Sequence, residues 1–167
     1  LTHLITSPFR RTVETTEHLR KATGLIPQVR TQLHELGGCM RGPSVAEMVG
    51  APGMNRKEIE AEFAGYEVSD EIDGRGWWDS KPYEEYYAAV HRAEKLLERT
   101  REEFAASDAR VAYVMHADFK RIFLELFHVV PQTPWNASLT RLTVTPDEIH
   151  VEDYNSIAHL PAELHTA

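Results

Sequence analysis

Apolar positions recur along this chain at different spacings, and each spacing predicts a different element. Leu4 and Ile5 read as the end of a short buried strand. Residues 10–22 then follow a helical pattern closed by Gly24. Ser7 is expected to cap that helix with Pro8 in its first position, which puts Phe9, Arg10 and Arg11 in the first turn. PQVRTQL, from Pro27, reads as a second strand. The clearest helix spans residues 84–104, where Tyr86, Val90, Ala93, Leu97 and Phe104 recur at three-, four- and seven-residue steps. VAYVM, residues 111–115, is the continuous apolar run expected of a strand buried on both faces of a parallel sheet. His116 follows at once, and Phe119, Ile122, Phe123 and Leu126 mark the inner side of another helix. SLTRLTV and EIHVEDY, joined by a TPD turn, read as a hairpin at the sheet edge.

Residues 35–82 break this order. They hold eight of the nine glycines, including the GG pair at Gly37 and Gly38 and a GRGWW stretch ending at Trp78, so turns should dominate. One amphipathic helix, NRKEIEAEF, interrupts them. The expected organisation is a single domain over residues 1–167 with a loop-rich insertion at about 36–82, a segment of the kind that often covers or lines a site. Strands alternating with helices, with strands too uniformly apolar for a half-solvated sheet, predict an α/β fold: a three-layer α/β/α sandwich on a mostly parallel sheet.

Composition narrows the function. The 167 residues are 42% hydrophobic, enough for one sizeable core, and the net charge of -8 comes without the basic patches a nucleic-acid surface needs. No apolar run approaches the ~20 residues that span a bilayer, and no targeting segment is visible. The one cysteine, Cys39, excludes an internal disulfide and fits a reducing compartment, so a cytoplasmic location is expected. The chain opens on Leu1 rather than methionine, which is read as a processed chain or a fragment.

In parallel α/β sheets, ligands gather beyond the carboxyl ends of the strands, where helix N-termini also point. Two junctions here meet that description, residues 7–11 and 115–119. Arginine suits phosphate because its rigid fork donates paired hydrogen bonds and keeps its charge. Cations oppose the positive end of a helix dipole, so Arg10 and Arg11 either reach solvent or face an anion. About 100° of helix separates them, so at most one readily faces a site. His116, at a strand exit, can bind an anion or move a proton, or simply bond a neighbouring carbonyl. Glu35, in LHELGG, is either an exposed loop carboxylate or an acid able to protonate a leaving oxygen. Asp118 beside His116 offers too few ligands to predict a metal site.

Together these segments resemble the histidine phosphatase superfamily, with its phosphoglycerate-mutase-like fold. SPFRRTVETT is similar to the family's SPxxRxxxT segment, VMHADF to VSHGGF, and LHELGG to LxE, while NASLTRL and YNSIAHLP resemble its closing strands and tail. The resemblance implies that Arg11 rather than Arg10 binds the phosphoryl group, that His116 is the second active-site histidine, and that Glu35 is the proton donor. Asp118 is the runner-up acid, because another branch places an aspartate directly after that histidine, whereas here Ala117 intervenes.

The family's nucleophile is the histidine of an RHG motif on its first, central strand. None of the nine histidines here stands in such a motif, so that strand is expected to be missing from the chain. The expectation is a phosphomonoester hydrolase working through a phosphohistidine in the intact protein, inactive as this chain alone. Alternatives are a mutase-type phosphotransferase and a non-catalytic phosphate-ligand binding or scaffold protein. No metal or other cofactor is expected. The expected partner is a small phosphorylated metabolite or other phosphomonoester, not nucleic acid or membrane, and unpaired strand edges leave room for a homo-oligomer.

Overall fold

The computed structural model describes residues 1–129 and 132–166. At its centre lies strand β1 (His3–Thr6), where Leu4, Ile5 and Thr6 are almost fully buried. Helix α1 (Arg10–Thr23) follows and ends at Gly24, whose N–H bonds the Arg20 carbonyl. Phe9, not Ser7, occupies the N-cap position, so Arg10 and Arg11 open the helix. The Ser7 hydroxyl is engaged elsewhere, as described below. Strand β2 (Pro27–Val29) is shorter than PQVRTQL suggested. Arg30 is drawn to Glu103 and Gln28, and Thr31–Leu33 form a 3₁₀ turn that carries the chain off the sheet.

The segment expected to be loop-rich contains more regular structure than its glycines implied. Strands β3 (Met40–Arg41) and β4 (Val49–Gly50) pair antiparallel, and helix α2 (Arg56–Glu62) begins with a capping box between Asn55 and Glu58. Strand β5 (Glu67–Val68) then joins the central sheet beside β2. A two-residue strand is too short to leave a periodic signal, which is why the pattern missed it. Trp77 and Trp78 are buried under the same segment. Gly38 has a positive φ of 77° and lies so close to the Trp78 indole that a Cβ would overlap it; Gly53 stands in the same relation to Trp77.

Helix α3 (Tyr86–Phe104) and strand β6 (Val111–Val114) complete a four-stranded parallel sheet in the order β5-β2-β1-β6. Helix α4 (Ala117–Glu125) follows. One face of the sheet packs Ile5 against Ala89, Ala93 and Leu96 of α3 and Phe119, Ile122 and Phe123 of α4. The other gathers Val13, Val29, Ile59, Trp77 and Trp78. The three-layer α/β architecture is therefore present. The α3 stripe is rotated from expectation, with Ala89 and Ala93 innermost and Tyr86 at the surface, where its hydroxyl bonds Glu125.

Two expectations are corrected. All four β6 residues are half-buried rather than buried on both faces, because β6 is an edge whose partner among the described residues is β1. Strands β7 (Leu139–Val144) and β8 (Ile149–Ser156) form their own antiparallel sheet instead of extending the central one. They are tied to the body by Leu142 in the α3–α4 core and by the Lys120 ammonium, which donates to Ser138. None of the described helices is long and apolar enough to cross a membrane.

Candidate active site

β1 pairs with β2 on one side and β6 on the other, so the carboxyl ends of the three parallel strands, where ligands gather in such sheets, lie side by side. Thr6 aligns with Val114, and the Ser7 N–H extends the pairing by donating to the Val114 carbonyl at 3.0 Å. That register sets the two strand–helix junctions side by side. Residues more than a hundred apart in sequence thereby meet: Ser7 Oγ lies 2.8 Å from His116 Nε2, and an Arg11 guanidinium nitrogen lies 2.9 Å from His116 Nδ1.

The protonation of His116 follows from these partners. Arginine only donates, so Nδ1 accepts; the proton of the neutral ring is on Nε2 and is given to Ser7 Oγ. Burial, first of all, and then the charges of Arg11, His34 and Arg92 push the imidazole down to about 3. Phe9 packs edge-on against the His116 ring at 4.8 Å and lies 4.3 Å beneath the Arg11 guanidinium, holding both in place. Arg10 turns away and pairs with exposed Glu62.

Glu35 reaches the same region from the turn after the 3₁₀ segment. Its Oε1 accepts from the backbone N–H groups of Leu36 and Phe119, both at 2.9 Å, so it caps the first turn of α4. Its Oε2 makes no hydrogen bond among the described residues. Asp118 instead pairs with Arg121 at the surface. The Thr15 hydroxyl, on the Arg11 side of α1, is spent on the Arg11 carbonyl.

Behind the site lies a buried ionic cluster that the sequence reading missed. Arg92 donates two bonds to Glu84, at 2.9 and 2.6 Å, and two more to the carbonyls of Gln32 and His34. Its guanidinium also covers the Phe119 ring at 3.7 Å. Arg92 thus ties the turn that carries Glu35 to the helix that follows His116. Burial alone would raise the Glu84 carboxyl, but the nearby His34 ring and the two bonds from Arg92 pull it down to about 2. His34 Nδ1 bonds the Thr31 carbonyl, its Nε2 faces Glu84 at 3.4 Å, and its ring lies against Trp77 and Trp78. One signal was available: Arg92 stands on the inward stripe of α3, between Ala89 and Ala93, where a charge requires a partner.

A small cleft of about 130 Å³ is lined by Leu36, Tyr86, Asp118, Arg121, Ile122 and Glu125. A larger concavity of about 480 Å³ lies over Arg30 and the ends of β2 and β5, and includes neither Arg11 nor His116 in its lining. The smaller cleft likewise includes none of Arg11, His116 and Glu35 in its lining.

An arginine, a neutral histidine and a carboxylate at the switch point of a parallel sheet define an α/β protein able to seat a small anion and pass a proton. The sequence matches the family model of the histidine phosphatase superfamily (branch 1) over residues 1–157, and the chain belongs to that enzyme family. No curated protein matches it. Among solved structures it is similar to mycobacterial glucosyl-3-phosphoglycerate phosphatase in its native form, at 18% identity over 92% of this chain and 77% of that one with a TM-score of 0.55. The complex of that phosphatase with inorganic phosphate gives 18% identity, 95% and 79% coverage and a TM-score of 0.55. A protein described as mycobacterial hydrolase 1 gives 18% identity, 92% and 75% coverage and a TM-score of 0.57. At such identities the likeness is one of fold.

Proposed function

We propose that this chain carries the phosphate-binding and leaving-group side of a phosphomonoester hydrolase that acts on a small phosphorylated metabolite. Arg11 and His116 hold non-bridging oxygens of the phosphoryl group, and the free Oε2 of Glu35 protonates the departing alcohol. The attacking group is a histidine of the family's RHG type, which forms a phosphohistidine and then yields it to water. No RHG triplet occurs among the 167 residues, so the chain by itself binds phosphate without turnover. Positive side chains neutralise the phosphoryl charge, and the scheme calls for no metal.

The observation that carries the reading is the 2.9 Å contact of Arg11 with His116 beyond the paired strand ends, while neighbouring Arg10 is committed to Glu62. Family membership supports phosphatase chemistry. The activity named for the mycobacterial neighbours makes a phosphorylated sugar acid the first substrate class to try.

The test compares this chain with the product of its complete reading frame. The chain should bind orthophosphate, bind it roughly 10- to 100-fold more weakly after Arg11→Ala, and release no p-nitrophenol from p-nitrophenyl phosphate. The longer product should release it and yield an acid-labile phosphohistidine when quenched. Turnover by the chain alone, abolished by Arg11→Ala, would overturn the placement of the nucleophile outside it.

A further inference from the structure

We propose that anion capture at this site is coupled to uptake of one proton by His116: Arg11 holds the ring neutral until an anion draws the arginine away, and the ring then becomes an imidazolium that also binds the anion. The inference rests on the reading of Arg11 and His116 as the phosphate seat. In the structure the only lone pair of the neutral ring, on Nδ1, accepts from Arg11 at 2.9 Å, and Nε2–H is given to Ser7 at 2.8 Å. An anion oxygen is itself an acceptor and cannot bond to that lone pair. It can bond to Arg11, and to His116 only once Nδ1 carries a proton.

The surroundings favour the charged ring once an anion is present. From the β1–α1 junction His116 is faced by Ser7 and Arg11, from the turn after the 3₁₀ segment by His34, and from α3 by Arg92. Glu35 sits over the start of α4 on Phe119 N–H, and Asp118 of α4 is paired with Arg121. Burial first, and then these mainly positive charges, hold His116 at the low value of about 3. A bound dianion reverses that local field and stabilises the imidazolium. The balance is simple: one proton from solvent adds to Nδ1, Nε2–H stays with Ser7, and no bond other than N–H forms. The competing route needs no proton, because Ser7 could turn its hydroxyl toward Nε2 while the ring proton moves to Nδ1.

Sulfate is the probe that separates these routes, since it has no titratable proton near neutrality. Calorimetric titration of the 167-residue chain with sulfate, in two buffers of different ionisation enthalpy near pH 6, should return about one proton taken up per sulfate bound. Affinity should fall about tenfold per pH unit on raising the pH from 5.5 to 7. ¹⁵N spectra should show one protonated ring nitrogen of His116 without sulfate and two with it, a readout that needs no variant. His116→Asn should abolish the uptake, and Arg11→Ala should weaken sulfate binding roughly 10- to 100-fold. Sulfate binding through Arg11 with no proton uptake would overturn the proposal in favour of the tautomer exchange and leave the phosphate seat standing. Failure to bind sulfate or orthophosphate, or binding indifferent to Arg11→Ala, would overturn the seat and the proposal together.

Discussion

The two strand–helix junctions of this protein lie side by side at one sheet edge, yet they are built with opposite charge. Helix α1 begins with Arg10 and Arg11 and has no acidic residue in its first turn. Helix α4 begins with Asp118 in its first turn and receives Glu35 on the Phe119 N–H. Neither helix is capped by its own N-cap side chain. One helix start is therefore already satisfied by carboxylates, while the other adds cations to its dipole. In the proposed function this difference divides the work, with anion recognition at the α1 junction and proton handling at the α4 junction; His116 bridges them because it bonds Ser7 and Arg11 from its place before α4.

The strongest way to break this contrast is to remove what holds the junctions in register. Arg92→Met leaves Glu84 buried without its main partner and should cost about 3–5 kcal/mol of stability in urea unfolding. Acid should come next. An unfolded histidine binds its proton below pH 6.5, whereas folded His116 resists it until about 3, so the unfolded state holds more protons between those values. Stability should therefore fall as pH drops through this window, by up to about 1.4 kcal/mol per unit. Glu84 adds to the loss below its ordinary 4.5, because its carboxylate is stabilised in the folded state down to about 2. Unfolding curves for the wild type and His116→Asn should differ in slope between pH 6.5 and 3; equal slopes would show that His116 is not held neutral.

Sharper tests separate the roles of the two junctions. Arg11→Ala should weaken orthophosphate binding roughly 10- to 100-fold with little change in thermal midpoint, since a charge-assisted pair contributes about 1.5–3 kcal/mol. Glu35→Ala should instead lower stability by about 1–2 kcal/mol by orphaning the Phe119 N–H; Glu35→Gln retains an acceptor and should restore most of that loss. A reversed pattern, with Glu35 controlling phosphate affinity and Arg11 stability, would exchange the roles. The smallest effect belongs to Arg10→Ala. Its bond to Glu62 is exposed, so neither stability nor phosphate affinity should move measurably.

Much of the site was legible because its residues follow strands. Helical geometry allowed only one of Arg10 and Arg11 to face a pocket, and the SPxxRxxxT resemblance chose Arg11; in the structure Arg11 meets His116 while Arg10 meets Glu62. Glu35 was singled out as an acid, but its bonds to two backbone N–H groups, which cap α4, depend on a contact spanning 84 residues that no local pattern encodes. Ser7 was misread for a related reason. A serine before a helix is a normal cap, and only the β1–β6 register brings His116 close enough to claim its hydroxyl.

What the sequence determined alone is what local spacing can express: the helices of α1, α3 and α4, the apolar β1 and β6, the α/β class, and the candidate residues at strand exits. What only the tertiary structure decided is which of these meet and in what state. Edge exposure of β6, the place of the two-residue β5, the detached β7–β8 hairpin and the Arg92–Glu84 cluster all depend on long-range pairing. The same holds for the neutral His116, whose proton is set by Ser7 and Arg11 arriving across the sheet. The physical reason is that periodicity records which face of an element is buried, whereas hydrogen-bond partners and local charge exist only once distant elements are packed together.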